Sequence, residues 1–300
     1  AMNAIRAGDP SLMREFRIKR LCSPWSPERD DQGEVPALEV GPYGLGDEWP
    51  DEAKDQQGRP YRFLAVDVQR NHFWGVVRSW AADGRSRLVA RAKLLTVPEV
   101  EAFADEHGVL RGQWWESLGV NGLPVVTCES RVFVDSKFNT QEVFRICSES
   151  GFHAVNSYTR RSYKHSDGVH RIYSEPHVID SYIGIRREGS VRRVLQFFFG
   201  ADAAKDRMEV LRSQRDKDGV PVWSAAANHG DEYARQIAAE AKVKTFKADG
   251  KTWAYKWKRL KPDNHYFDCE TIQIVAASMA GLIGDDVGQP QDVEEKSVDM

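Results

Sequence analysis

Two aspartates lie within apolar runs of the sequence that are typical of buried strands. Asp67 interrupts the run 63–68, and Asp135 follows directly on the run 132–134. An ionised carboxylate is costly to bury unless a cation or a hydrogen-bond donor compensates it. We therefore expect a positively charged group or a metal ion beside Asp67, and Asp135 at the carboxyl end of its strand.

A third aspartate, Asp268, precedes the apolar face of the last predicted helix. Taken singly, each of these aspartates is more commonly a turn or cap residue. Three carboxylates from two adjacent strands and one helix are the ligands that two hard divalent cations require. Two such ions, about 4 Å apart, activate water and stabilise the oxygens of a phosphodiester. The predicted chemistry is hydrolysis of a nucleic-acid backbone, with Asp67, Asp135 and Asp268 as both catalytic and metal-binding residues.

Three neighbouring side chains are candidates for supporting these ligands or for contacting a phosphate. Lys137 is positioned to neutralise transition-state charge, although an ordinary surface lysine is an equally good interpretation. His265, one turn before Asp268, is interpreted first as a capping or solvent-exposed residue and second as a phosphate contact. Glu270 is about 200° around the helix from Asp268, so we expect it to face solvent or to support the site from behind.

A basic stretch at 242–261 supplies a candidate surface for nucleic acid. It contains eight basic residues, one acid (Asp249), and alternating aromatic residues at 253, 255 and 257. The pattern predicts a hairpin turning at Asp249-Gly250, with the aromatic face packed and the basic face contacting phosphates. A solvated hairpin is the alternative interpretation. The candidate DNA-binding residues are Lys244, Lys247, Lys251, Lys256, Lys258, Arg259 and Lys261.

The elements around these residues predict an α/β fold. Period-2 patterns indicate strands at 62–68, 73–81 and 86–95, joined as an antiparallel meander, followed by strands at 131–134 and 152–158. Helices are predicted at 98–107, 140–150, 202–213, 231–242 and 265–283, and a second hairpin at 178–199 turns at Glu188-Gly189. Three strands, helix, strand, helix, strand is the order of a mixed sheet flanked by helices.

Composition limits the class of protein. The chain has 300 residues, 41% of them hydrophobic, and a net charge of −3. No apolar run is long enough for a membrane span, no leader opens the sequence, and the four cysteines lack zinc-site spacing, so we expect a soluble intracellular protein.

The expected domains are an irregular arm or linker at 1–60, a catalytic domain at 61–284 and a disordered acidic tail at 285–300. Gly250-Lys251-Thr252 imitates the end of a P-loop, but Thr245 stands where its first glycine belongs, so no ATP site is predicted.

The order of these motifs resembles one known family, the nuclease half of the large subunits of lambda-like tailed-phage DNA-packaging terminases. The matching motifs are Val66-Asp67-Val68-Gln69, Val134-Asp135-Ser136, Ala204-Lys205-Asp206 and His265-Tyr266-Phe267-Asp268-Cys269-Glu270, with Leu21-Cys22-Ser23-Pro24-Trp25 similar to the connector from the ATPase motor.

This resemblance implies a ribonuclease H-like fold and a Mg²⁺- or Mn²⁺-dependent endonuclease, with two ions held by Asp67, Asp135 and Asp268. It implies that the protein cuts concatemeric double-stranded viral DNA in the host cytoplasm, with a small terminase subunit and the portal of the procapsid as partners. It also implies an excised C-terminal domain that lacks its motor. Two other functions stay open: a different ribonuclease H-like DNA nuclease, such as a junction resolvase or recombination nuclease, and a catalytically silent DNA-binding assembly module.

Overall fold

The computed structural model describes residues 38–118, 124–180, 193–246 and 253–284. The described residues divide into two compact units, one within residues 38–237 and 265–284 and the other within residues 238–264. No helix in the described ranges is long and apolar enough to cross a membrane.

The strands of the described ranges are β1 (Arg62–Val68), β2 (Phe73–Trp80), β3 (Ser86–Leu94), β4 (Gln113–Leu118), β5 (Pro124–Glu129), β6 (Val132–Asp135), β7 (His153–Tyr158), β8 (Tyr163–Lys164), β9 (His170–Arg171), β10 (His177–Asp180), β11 (Arg193–Gly200), β12 (Trp223–Ser224), β13 (Glu240–Phe246) and β14 (Trp253–Arg259). The helices are α1 (Val97–Glu106), α2 (Thr140–Ser150), α3 (Ala201–Ser213), α4 (Asp231–Ile237) and α5 (His265–Met279).

The larger unit is built on an eight-stranded mixed sheet with the order β10-β11-β7-β6-β1-β2-β3-β12. Strands β1, β2 and β3 form the predicted antiparallel meander, and the turn before β3 uses Gly84 with a φ of 85°, which a side chain would disfavour. Strands β6, β7 and β11 continue the sheet in parallel. The sheet and its flanking helices confirm the predicted α/β class and are consistent with a ribonuclease H-like fold.

Helices cover the sheet on both faces. Apolar side chains of β1, including Leu64 and Val66, join a core cluster with Phe103 of α1 and Ile146 of α2. The alternate residues of β1 face α5, which packs against β1 and β2 and is covered in turn by α3 and α4. Because α5 is enclosed by the sheet and two helices, its residues from 266 to 278 are buried except for Asp268, which is partly exposed.

Most predicted elements are confirmed, but the hairpin of β4 and β5 was not predicted and the helix predicted at 231–242 is wrong in its second half. A single helix was expected there, but α4 ends at Ile237 and β13 begins at Glu240. The segment 240–246 pairs with β14 in an antiparallel ladder, and this pairing overrides its helical propensity. The last helix also ends at Met279, four residues before the predicted end.

Residues 38–60 contain no helix or strand but are packed within the larger unit. Tyr43 and Trp49 are buried, and the Tyr43 hydroxyl donates to the Ser224 carbonyl at 2.9 Å. Isolated bridges join Val40 to Ala225 and Glu52 to Ala81.

The described part of the smaller unit is the antiparallel hairpin of β13 and β14. Its predicted turn at Asp249-Gly250 lies outside the described residues, as does the predicted turn at Glu188-Gly189 between β10 and β11. The strands on both sides of each turn pair as expected.

Candidate active site

Asp67 and Asp135 lie side by side at the carboxyl ends of adjacent parallel strands. Val66 of β1 is in register with Val134 of β6, so the next residue on each strand is the aspartate. Neighbouring strands are about 4.8 Å apart. Phe63 and Phe133 lie on the same strand faces as the two aspartates, and their rings meet with centroids 6.1 Å apart. Both carboxylates therefore project from one face of the sheet, the face that α5 covers.

The proximity of the two carboxylates is visible in the electrostatics of Asp135. The pKa of the Asp135 carboxyl is raised to about 6, chiefly by burial. The hydrogen bond from the Lys137 backbone N–H lowers this pKa, the charge of Asp67 raises it, and the ammonium of Lys137 lowers it. Two like charges in a site largely shielded from water favour protonation of one of them or the binding of a cation.

The carboxylate of Asp67 is 5% exposed and is held by two hydrogen bonds on one oxygen. Gln69 Nε2 donates to Oδ2 at 2.8 Å, and His265 Nδ1 lies 2.7 Å from the same oxygen. A positively charged group or a metal ion was expected beside Asp67, and the structure places two hydrogen-bond partners there, one of them the first residue of α5. The interpretation of His265 as a capping or solvent-exposed residue is wrong, because its ring contacts Asp67 and stacks on Trp74.

Asp268 lies in the first turn of α5, one turn after His265. The next residue, Cys269, is buried, and its Sγ donates to the Trp74 carbonyl at 3.3 Å. Burial raises the pKa of this thiol, and the charges of Asp67 and Asp268 raise it further. The end of α5 that carries Asp268 therefore faces the carboxyl end of β1.

Asp67 and Asp135 suit a hard divalent cation in donor chemistry. Both provide carboxylate oxygens, and the raised pKa of Asp135 reflects in part a like charge beside it that a cation would offset. Across the described residues, however, no group of three or more His, Cys, Asp and Glu side chains has the spacing of a metal site. Asp67 and Asp135 are thus brought together, and Asp268 is placed on the adjoining helix turn without completing a three-ligand cluster.

Lys137 borders this pair of carboxylates. Its backbone N–H donates to Asp135 Oδ1 at 3.0 Å, and its exposed side chain places Nζ 3.5 Å from Ser157 Oγ at the end of β7. The loop between β6 and α2 is held against β7, because Ser136 Oγ donates to the Val155 carbonyl at 2.8 Å. Lys137 therefore presents a positive charge at the same edge of the sheet as the aspartates.

Glu270 does not face solvent, and that part of its prediction is wrong. Its side chain is fully buried and forms a two-point ion pair with Arg78 of β2, at 2.8 Å from Nε and 3.0 Å from Nη2. The Tyr233 hydroxyl of α4 donates to the same carboxylate. The rotation of about 200° from Asp268 points Glu270 into the core because α5 is enclosed on almost every side.

The hairpin of β13 and β14 carries its basic residues on both faces. Tyr255 is 64% exposed and lies directly across from the exposed Lys244, so the expectation that the aromatic face is packed is wrong at this residue. On the other face, buried Val243 pairs with exposed Lys256. Among the other candidates, Arg259 and Lys261 are exposed, Lys258 is half-buried, and Lys247 and Lys251 lie outside the described residues.

Comparison with known proteins identifies a family. The family model described as "Terminase large subunit gpA, endonuclease domain" matches residues 1–287. No curated protein and no solved structure matches significantly. The match spans the sheet, α5 and the hairpin, and it includes the motifs that contain all three aspartates. The chain therefore belongs to the endonuclease-domain family of terminase large subunit gpA.

Proposed function

We propose that this chain is a metal-dependent endonuclease that cuts double-stranded viral DNA during genome packaging and uses two divalent ions, Mg²⁺ or Mn²⁺. The family supports the nuclease role in phage DNA packaging. The observation that carries the chemistry is the pair of carboxylates, Asp67 and Asp135, at the carboxyl ends of adjacent strands. Two hard carboxylates at such a position are the ligands that a phosphodiesterase of this type requires.

In this proposal Asp67, Asp135 and Asp268 would hold the ions, with Asp67 as the ligand common to both. Bound ions would supply an activated water and would stabilise the charge that develops on the phosphodiester oxygens. The largely buried surroundings of Asp67 and Asp135 limit the access of water and strengthen their attraction for a cation. Lys137, exposed beside Asp135, is positioned to hold a DNA phosphate at this edge of the sheet.

The hairpin is proposed as the second DNA contact. Exposed basic residues on two faces, with Tyr255 exposed between them, match a phosphate backbone without implying that base edges are read. A small terminase subunit and the portal of the procapsid are the proposed partners, and the host cytoplasm is the proposed place of action.

Plasmid nicking in Mn²⁺ tests the proposal. Asp67→Asn removes the shared charge with little change in size, and we expect cleavage to fall by more than about 100-fold. Asp218→Asn, a substitution in an exposed turn, is the matched control and should cleave like the wild type. Full activity of Asp67→Asn would show that this carboxylate is not the ligand.

Two further assays separate the proposal from its alternatives. A strong preference for four-way junctions over linear duplex indicates a resolvase or a recombination nuclease. DNA binding that survives chelation, together with no cleavage in either metal, indicates a catalytically silent assembly module.

A further inference from the structure

The Asp67 carboxylate is fixed from two directions by groups that are not proposed metal ligands. Both hydrogen bonds, from Gln69 Nε2 at 2.8 Å and from His265 Nδ1 at 2.7 Å, end on Oδ2. Because an ionised carboxylate can only accept, the imidazole donates this hydrogen bond from Nδ1. The two donors come from separate elements, the residue after β1 and the start of α5, so they fix the carboxylate from both sides.

The imidazole of His265 is itself held in place by an aromatic stack. It lies on the Trp74 indole with centroids 5.4 Å apart and an interplanar angle of 6°. Trp74 is the direct partner of Asp67 across β1 and β2, which places the stack immediately beside the carboxylate.

The indole is enclosed in turn by its own neighbours. The rings of His72 and Tyr266 meet it edge-on, and Lys93 Nζ lies 5.3 Å from its centroid. Rotation of His265 away from Asp67 would therefore disrupt the stack.

We propose that His265, assisted by Gln69, is a positioning residue that orients the Asp67 carboxylate for the metal ions. This inference rests on the proposed function. Hydrogen-bond partners that hold a ligand's carboxylate in one orientation leave less of its conformational freedom to be lost when a metal binds, so they favour metal binding. Since both bonds end on Oδ2, they set the plane and rotation of the carboxylate while Oδ1 carries neither of them. The opposite role, in which His265 competes with the metal for Oδ2, makes the opposite prediction for metal affinity.

Binding of Mn²⁺ to the DNA-free protein, followed by the electron paramagnetic resonance signal of the free ion, distinguishes these roles. His265→Leu removes the donor and replaces the imidazole with an apolar side chain of similar size, and we expect the Mn²⁺ dissociation constant to rise about 10- to 100-fold. His265→Asn keeps an N–H near the position of Nδ1 and should bind Mn²⁺ within a few-fold of the wild type. Thermal unfolding of the metal-free proteins checks that the variants are folded.

Unchanged or tighter Mn²⁺ binding by His265→Leu would overturn the inference, and tighter binding would identify His265 as a competitor of the metal. Gln69→Met provides a second measurement that leaves the Trp74 stack intact, with weaker binding expected and unchanged binding counting against the inference. The proposed function fails in a different way: the wild type would not bind Mn²⁺, or Asp67→Asn would bind it as tightly as the wild type.

Discussion

At the scale of single residues, the strand carboxylates could be located from the sequence, but their partners could not. An aspartate inside an apolar strand is visible in the composition of the segment 63–68. The contact with Trp74 depends on the register of β1 and β2, in which Gln69 N donates to the His72 carbonyl around a short turn. Without a glycine or proline to mark that turn, its position, and therefore the pairing of Asp67 with Trp74, could not be fixed.

The raised pKa of Asp135 leads to a prediction for the stability of the metal-free protein. Because this pKa is raised from 3.8 to about 6, the folded state binds the proton more tightly than the unfolded state. The stabilisation of the folded state by the proton on Asp135 is complete below about pH 4 and is lost as the pH rises through 6. At about pH 8, Asp135→Asn should therefore unfold with a free energy about 1–2 kcal/mol higher than that of the wild type.

Urea denaturation without metal, at about pH 8 and again near pH 4, measures this difference. We expect the advantage of Asp135→Asn at the higher pH to disappear at the lower one. Added Mn²⁺ should stabilise the wild type more than the variant. A variant that is less stable than the wild type at about pH 8 would contradict the electrostatic interpretation of this pair.

At the scale of elements, most strands of the sheet could be predicted from alternating patterns, but the short strand β12 was not. The helix predicted across 231–242 failed at its second half, where pairing of β13 with β14 decides the structure. The environment of α5 was not predictable either. Its single apolar stripe indicated one buried face, whereas its position between the sheet and two helices buries almost the whole helix. Glu270 is therefore buried and forms an ion pair with Arg78.

The ion pair of Arg78 and Glu270 should be a principal anchor of α5. Glu270→Ala leaves a fully buried guanidinium without its carboxylate, which is expected to lower the free energy of unfolding by about 3–5 kcal/mol. The double variant Arg78→Met with Glu270→Met removes both charges and should be less destabilised than Glu270→Ala.

A surface ion pair serves as the comparison in the same denaturation experiment. Glu149→Ala breaks the solvent-exposed pair with Arg145 on α2 and should cost about 0.3–0.5 kcal/mol. A loss for Glu270→Ala as small as that for Glu149→Ala would show that the buried pair does not anchor the helix.

At the scale of the whole molecule, the chain contains an eight-stranded sheet, which carries the candidate site, and a basic hairpin that belongs to a second unit. The fold class and the family could be predicted from the order of motifs, because two of the motifs end adjacent strands of the sheet and a third begins the helix that packs on them. The exposure of Tyr255 could not, since alternation identifies residues that share a strand face but not which face is packed.

The hairpin prediction concerns the salt dependence of DNA binding. Replacing Lys244, Lys256 and Lys261 together by glutamine should weaken binding to duplex DNA. It should also flatten the plot of log affinity against log salt concentration by up to about 0.9 for each lost phosphate contact. Lys54→Gln with Lys217→Gln, two exposed lysines of the larger unit, is the control and should leave the slope nearly unchanged. An unaltered slope in the hairpin variant would place the DNA path elsewhere.

The central claim is that Asp67, Asp135 and Asp268 hold divalent ions at one point of the sheet edge. Anomalous diffraction from crystals grown with Mn²⁺ tests it most directly. We predict peaks at coordination distance, roughly 2.0–2.2 Å, from the carboxylate oxygens of Asp67 and Asp135, with Asp268 completing the ligand set. Manganese bound only at other positions, with these carboxylates uncoordinated, would contradict the claim.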